Sequence, residues 1–301
     1  MVNNLSKGNF EMAEITAALV KELRERTGEG MMDCKKALTK AGGDIEKAID
    51  DMRASGAIKA AKKAGNVAAE GAIAIKLADD NKTAVIMEVN SQTDFLALQD
   101  DFKKFVSESI DQALVENLTD AAPLIAARET ARVELVAKVG ENVNIRRLTR
   151  VEGDVLGAYL HGNKIGVIVS LKGGNSELAR DIAMHVAASN PEFLHTSEVS
   201  ADAIAREKAV FMSLNEEKIK GKPAEIVEKM VSGRIQKFLA EASLVEQPFV
   251  KDDSIKVGEL AKKAGAEIVS FVRYGVGEGI DKGEEVDFAA EVAAQLAASK
   301  Q

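Results

Sequence analysis

Tryptophan is absent, tyrosine occurs only as Tyr159 and Tyr274, and aromatic residues make up 4% of the chain. The core must therefore be filled by Ala, Val, Ile and Leu, which suits packed helices and small sheets. Cysteine occurs once, as Cys34, so no internal disulfide can form, and a reducing, cytoplasmic setting is expected. Lying between Met32 and Leu38, that cysteine reads as a buried structural thiol. The three histidines, His161, His185 and His195, stand at no metal-ligand spacing. CxxC, HExxH and GxSxG are all missing. Gly221-Lys222-Pro223 lacks the hydroxyl residue of a phosphate-binding loop, and Gly275-Val276-Gly277-Glu278-Gly279 lacks the strand–loop–helix setting of a dinucleotide site. These absences speak against an enzyme, and no metal or cofactor is expected.

Excess positive charge is lacking too. The net charge is -8 and the pI about 5.2, so direct contact with nucleic acid is not expected. The one basic stretch, Lys59, Lys62 and Lys63, reads as a solvated helix face or linker. No apolar run approaches the ~18 residues of a membrane span, so no membrane partner is expected. No charged start followed by an apolar stretch marks a secretory signal.

What is present is length and periodicity. With 301 residues, 46% of them hydrophobic, the chain is long enough for two or three cores. Residues 1–11 are polar and aperiodic, and Met12 then opens an amphipathic pattern. The extension reads either as the product of a misassigned start or as a non-native remnant. Residues 13–55 read as three short helices. Ile15, Leu19 and Leu23 share one face, Gly28 and Gly30 stop the first helix, and Gly42-Gly43 stops the second. Asp44 is placed to cap the third, which carries Ile45, Ala48, Ile49 and Met52 on one side. Residues 56–69 are rich in Ala, Lys and Gly, and read as a linker, in part helical.

An internal repeat organises the rest. Glu70-Gly71, Asn81-Lys82 and Val85-Ile86 recur 82 residues later as Glu152-Gly153, Asn163-Lys164 and Val167-Ile168. In each unit a β-rich run leads through a turn-like pair to a second β-rich run. Ala72–Ile75 with Ala84–Val89 and Leu156–Leu160 with Ile165–Leu171 are the expected hairpins. Helix-like sequence follows each, at 100–115 and 176–189, and a third β-like run closes each, at Val143–Val151 and Glu267–Val276. The fold class is thus α+β: a three-helix module, then two core modules at 70–151 and 152–280, each a small antiparallel sheet covered by helices on one face. Residues 200–241 read as a helical hairpin inserted into the second module, with Pro223 opening its second arm. A terminal module, 281–301, ends in an Ala-rich helix with Phe288, Val292 and Leu296 at helical spacing.

Two features place apolar residues where an isolated fold has little use for them. Met31 and Met32 stand together at a helix start, and both cannot face one core. Either one is an exposed, adaptable contact or both are half buried. In Asn90-Ser91-Gln92-Thr93-Asp94-Phe95-Leu96 a strand ends in polar residues and then gives Phe-Leu. Phe95 either begins a helix and packs inward, with Thr93 or Asp94 as cap, or projects as a contact. His161 sits in the turn region of the second repeat.

Leu23-Arg24-Glu25-Arg26-Thr27-Gly28 and Gly30-Met31-Met32-Asp33-Cys34-Lys35-Lys36-Ala37-Leu38 resemble the N-terminal module of the bacterial elongation factor Ts family. Also similar are Glu88-Val89-Asn90 with Gln92-Thr93-Asp94-Phe95, Gly140-Glu141-Asn142 with Asn144-Ile145-Arg146-Arg147, and His185-Val186-Ala187-Ala188-Ser189. Gln247-Pro248-Phe249-Val250 and Asp287-Phe288-Ala289-Ala290-Glu291-Val292 extend the resemblance toward Gln301. It implies that residues 13–55 are ubiquitin-associated-like. It further implies a guanine-nucleotide exchange factor acting on elongation factor Tu, in its GDP-bound and nucleotide-free forms. Carried onto this sequence, Thr93, Asp94, Phe95 and Leu96 would insert beside the partner's nucleotide and displace its Mg²⁺. Arg24, Met31, Met32 and Lys35 would dock the N-terminal module, and His161 and Phe288 are candidates for further contact. An adaptor that binds ubiquitin-like domains through residues 13–55, an enzyme, and an RNA-binding or structural subunit of a larger complex are the competing readings.

Overall fold

The computed structural model describes residues 15–282. The expectations for residues 1–11, for the terminal helix and for Phe288 lie outside the described residues.

The chain opens with α1 (Ala17–Thr27), α2 (Met31–Ala41) and α3 (Ile45–Lys63). Thr16 and Asp44 cap α1 and α3, their side chains accepting from the Leu19 and Lys47 amides at 3.3 and 3.0 Å. Left-handed Gly28 and Gly42 end α1 and α2. Val20, Leu23, Cys34, Leu38, Ala48 and Ile49 form the small core between the helices. Of the stretch 56–69, read as a linker in part helical, the helical part is the continuation of α3 as far as Lys63. Small residues do the packing there, so no large apolar stripe announces it. Gly56 and Ala60 are buried, and a Cβ on Gly56 would stand 3.2 Å from that of Ala137.

The first core module pairs β1 (Glu70–Leu77), β2 (Thr83–Ser91) and β3 (Val143–Glu152) as an antiparallel sheet in that order. Between β2 and β3 run α4 (Asp94–Ala97), α5 (Asp100–Val115) and α6 (Ala121–Val139). Val85, Met87 and Val89 face Phe102, Ile110 and Val136 from these helices. The second module repeats the plan with β4 (Val155–His161), β5 (Ile165–Lys172) and α7 (Ser176–Ser189). The expected helical insertion follows as α8 (Ala201–Leu214), the short α9 (Glu216–Ile219) and α10 (Ala224–Ala242). Arg234 on α10 pairs with Glu207 on α8 at 2.7 Å. The chain returns through a two-stranded ribbon, β6 (Pro248–Phe249) with β7 (Asp252–Lys256), and α11 (Val257–Lys263). It closes with β8 (Glu267–Gly275), giving the sheet order β4-β5-β8.

The helix-free faces of the two sheets pack against each other. Ile73, Ile86 and Val151 of the first meet Leu156, Ile168 and Tyr274 of the second. The result is two sheets back to back with a helical layer outside each. Central strands buried on both faces read as continuous apolar runs, as Ala84–Val89 and Val167–Leu171 very nearly do. A backbone bond joins the sheets where the β4–β5 turn meets β1: the Ile73 amide donates to Asn163 O at 2.8 Å.

One polar knot interrupts this interface. Glu88 on β2 is fully buried and accepts from Arg146 Nη1 at 3.1 Å, Arg147 Nε at 2.6 Å, Asn90 Nδ2 at 2.9 Å and the Gly277 amide at 2.7 Å. The Arg147 guanidinium lies 4.0 Å from the Tyr274 ring centre and donates to Gly275 O. The knot thus spans both modules. Among the described residues no helix is long and apolar enough to cross a membrane.

Candidate functional site

Where β2 ends, the chain makes a short polar connection and one isolated helical turn. Thr93 is extended and caps α4, its hydroxyl accepting from the Leu96 amide at 3.3 Å. The turn stops after Ala97, and α5 begins afresh at Asp100. Successive residues of so short a helix point to different sides. Leu96 and Ala97, 1% and 2% exposed, enter the core of the first module. Phe95 is 75% exposed and Leu98 63%. Of the two readings left open for Phe95, the structure combines parts of both: it lies in a helix start, yet it projects. Leu96, grouped with the tip from sequence, anchors the turn from below instead of lining its surface. Leu98, which sequence reading passed over, shares the exposed side.

The tip is braced from a distant turn. The Thr93 amide and hydroxyl donate to the Glu141 carboxylate at 3.0–3.1 Å. Gln92 Oε1 accepts from the Asn142 amide at 2.8 Å. The Ser91 hydroxyl donates to Thr93 O at 2.8 Å. Glu141 and Asn142 carry no local signal of this role, because their partners lie some fifty residues earlier in the chain.

The N-terminal module presents the second candidate surface. Arg24, Met31, Met32 and Lys35 are all exposed. Met31 and Met32 are 58% and 65% exposed, so neither is buried at the start of α2. Gly30 caps that helix with no side chain to shield them. His161 ends β4 and is exposed, with Nδ1 3.2 Å from the Tyr159 hydroxyl.

Nothing else in the described residues resembles a reaction centre. His185 is fully buried in the second module, with Nδ1 accepting from the Val250 amide at 3.1 Å and Nε2 facing Gln247 Oε1 at 2.9 Å. Burial holds its pKa below the ordinary range, against the opposing pull of the Gln247 hydrogen bond. The carboxylates of Glu70 and Glu129 lie below theirs because Lys164 and Arg132 donate to them. Both are ion pairs, not proton donors awaiting a substrate. A cleft of about 660 Å³ between the N-terminal module and α5–α6 is lined by charges that pair with each other, such as Arg26 with Glu46 and Arg128 with Glu108. Among the described residues no cluster of His, Cys, Asp or Glu could hold a metal ion.

Comparison with known proteins supplies the frame for these surfaces. The family model for elongation factor Ts matches residues 92–278, from the start of the tip through the end of the second core module. Curated relatives match along their whole length. Elongation factor Ts of Pseudomonas syringae pv. tomato is 81% identical over 290 residues, covering 96% of this chain and 100% of the relative. That of Azotobacter vinelandii is 79% identical and that of Pseudomonas aeruginosa strain LESB58 78%, with the same coverage. The chain belongs to the elongation factor Ts family. Membership supports a role in translation elongation and nucleotide exchange. An elongation factor Ts needs no reaction centre of its own for that role, and attention falls on its exposed apolar residues.

Proposed function

We propose that this chain binds elongation factor Tu carrying GDP and speeds GDP release by pressing Phe95 into the partner beside its nucleotide. The observation that carries the reading is the exposure of Phe95 on a turn whose other apolar residues, Leu96 and Ala97, are locked in a core. An aromatic ring held out on a fixed base is costly to leave in water, and burying it in a partner favours docking by roughly 1.5–3 kcal/mol. That free energy is available to shift the partner groups that position Mg²⁺ against the phosphates. Asp94, also exposed, brings a negative charge and acceptor oxygens to the same place. Thr93 holds the turn in shape, and Leu96 anchors it.

Arg24, Met31, Met32 and Lys35 dock the N-terminal module on the same partner, two soft thioethers between two cations. His161, and Phe288 beyond the described residues, make further contacts. The nucleotide-free partner is the form bound most tightly. By linkage, the factor by which this chain weakens GDP binding equals the factor by which GDP weakens binding of the chain. The chain works in the cytoplasm, with no cofactor of its own, by binding and not by chemical catalysis.

Mixing the chain with elongation factor Tu bearing a fluorescent GDP tests this directly. The parent accelerates release, and Phe95→Ala lowers the saturating release rate by roughly tenfold or more while leaving the melting temperature unchanged. A Phe95→Ala protein as effective as the parent overturns the wedge.

A further inference from the structure

The turn Gly140-Glu141-Asn142 has no part in the function proposed above, yet it touches both elements which that function uses. Gly140 ends α6 in the left-handed region, with φ 76°, and turns the chain toward the tip. The Glu141 carboxylate accepts two groups of Thr93, the amide at 3.1 Å and the hydroxyl at 3.0 Å. The Thr93 hydroxyl therefore gives its proton to Glu141 and keeps a lone pair for the Leu96 amide, so one carboxylate orients the cap of α4. Asn142, 1% exposed, faces the other way. Its side-chain amide donates to Asn66 O at 2.8 Å and to Ala64 O at 3.3 Å, at the carboxyl end of α3. Asn66 in turn donates to Gln92 Oε1 at 3.2 Å, the oxygen that also accepts from the Asn142 amide.

We infer that Glu141 and Asn142 are positioning residues that lock the Thr93–Phe95 turn to the end of α3, so that the N-terminal module and Phe95 meet the partner as one rigid body. The physical need is plain. A single helical turn has too few internal bonds to hold its shape alone. A ring that swings aside when pressed transmits nothing to the partner. Charge-assisted bonds from outside the turn supply the stiffness. The link to α3 makes docking of one surface set the angle of attack of the other. This inference rests on the proposed function for its use, but not for its existence, and two readouts separate the two.

The first readout needs no partner. In the free full-length chain, Glu141→Ala raises amide exchange at Thr93 and Leu96 roughly tenfold. The second is GDP release from elongation factor Tu. Glu141→Ala lowers the saturating rate roughly three- to tenfold, with little change in the concentration giving half effect, and Glu141→Gln, which keeps one acceptor, recovers part of the loss. Added to Phe95→Ala, it costs little more, because there is no ring left to aim. If Glu141→Ala does not fold, Glu141→Gln carries both readouts with smaller shifts of the same sign. Unchanged exchange at Thr93 overturns the brace. So does a shift confined to the half-effect concentration, or a loss that multiplies fully with that of Phe95→Ala. Should Phe95→Ala release GDP as fast as the parent, the proposed function falls, and amide exchange still decides the brace.

Discussion

The strand-to-helix connections of the two repeats begin alike and end differently. At corresponding places, 82 residues apart, Thr93 and Asn175 cap a helix by accepting from the amides of Leu96 and Leu178. In the second repeat the capped helix is α7, unbroken from Ser176 to Ser189, and the exposed first-turn position holds Glu177. In the first repeat the helix stops after one turn, the position holds Phe95, and Glu141 braces it from outside. The same scaffold thus yields a solvated helix start in one copy and a projecting aromatic in the other. The difference lies in interrupting the helix, not in adding a new element. The strands before the two connections differ in a related way. Both central strands carry a bulge at corresponding residues, after Glu88 and after Ser170. Only the first places a carboxylate there, and that carboxylate binds the two modules together.

Breaking the second difference has the largest expected effect. Glu88→Ser gives the first repeat the residue of the second and leaves Arg146 and Arg147 without their shared acceptor. A half-buried arginine pair stripped of its carboxylate costs about 3 kcal/mol, to be read in urea unfolding. A loss below about 1 kcal/mol means that solvent replaces the knot and that the apolar contacts alone hold the sheets together. Helix packing distinguishes the copies next. Gly157 on β4 lies so close to α7 that a Cβ would stand 2.3 Å from backbone atoms of Ala179 and Arg180. The corresponding residue of β1 is Ala74. Gly157→Ala is expected to cost about 2 kcal/mol by forcing α7 outward. Ala74→Gly costs about 1 kcal/mol, the usual loss for a glycine in a strand. Equal effects at the two sites mean that both helices sit at one distance and that the second sheet gives way.

The repeat was legible in sequence because β2 and β5 are buried on both faces, where few residue types fit, and their likeness survives at a fixed spacing. The spacing itself slips where that constraint ends. Ile86 pairs with Ile75 but Ile168 with Ala158, so the second turn is one residue shorter and β1 corresponds to β4 at 83, not 82. Helix α6 left no legible stripe, since only Leu124, Leu135 and Val136 of it are fully buried. That the helical part of 56–69 continues α3 was hidden for the related reason that it packs through Gly56 and Ala60. The open readings were exposure of one of Met31 and Met32 or half burial of both, and the structure exposes both. Met31 shares the Cys34–Leu38 side of α2 by helical spacing but stands at the helix end, outside the core that those two enter. Phe95 was singled out as a tip by resemblance alone, because spacing fits an inward ring equally well. Glu141 and Glu88 stand in segments that carry the resemblance, but their roles as brace and knot were not legible. Each is a polar residue in a locally ordinary place, and its meaning lies in partners 48 to 189 residues away.

Acid gives a gentler contrast between the copies, because all three histidines follow the first repeat. His185 is buried, and its folded pKa lies below the ordinary 6.5. The unfolded chain therefore takes up a proton that the folded chain resists, and the stabilisation present above pH 6.5 is lost as the pH falls through the folded value. Amide protection in α7 is expected to weaken between pH 7 and 5.5 more than in α5. Parallel loss in both helices means that the two modules open together and that His185 acts on the whole molecule.

The smallest effect belongs to the substitution that most resembles a graft. Glu177→Phe puts an aromatic ring at the second repeat's equivalent of Phe95. It removes an acidic residue from the first turn of α7, a loss of less than about 1 kcal/mol. Placed in a Phe95→Ala background, it is expected to restore none of the GDP release from elongation factor Tu. The ring at 177 would lie along an unbroken helix, flanked by further turns that hold the partner away, with no carboxylate fixing the cap from outside. Phe95 instead stands at the end of its helix, where the chain turns off at Leu98 and leaves one side open. Restored release would mean that an exposed ring on either copy is enough, and that the interruption of the helix and the bonds from Glu141 contribute nothing to aiming it.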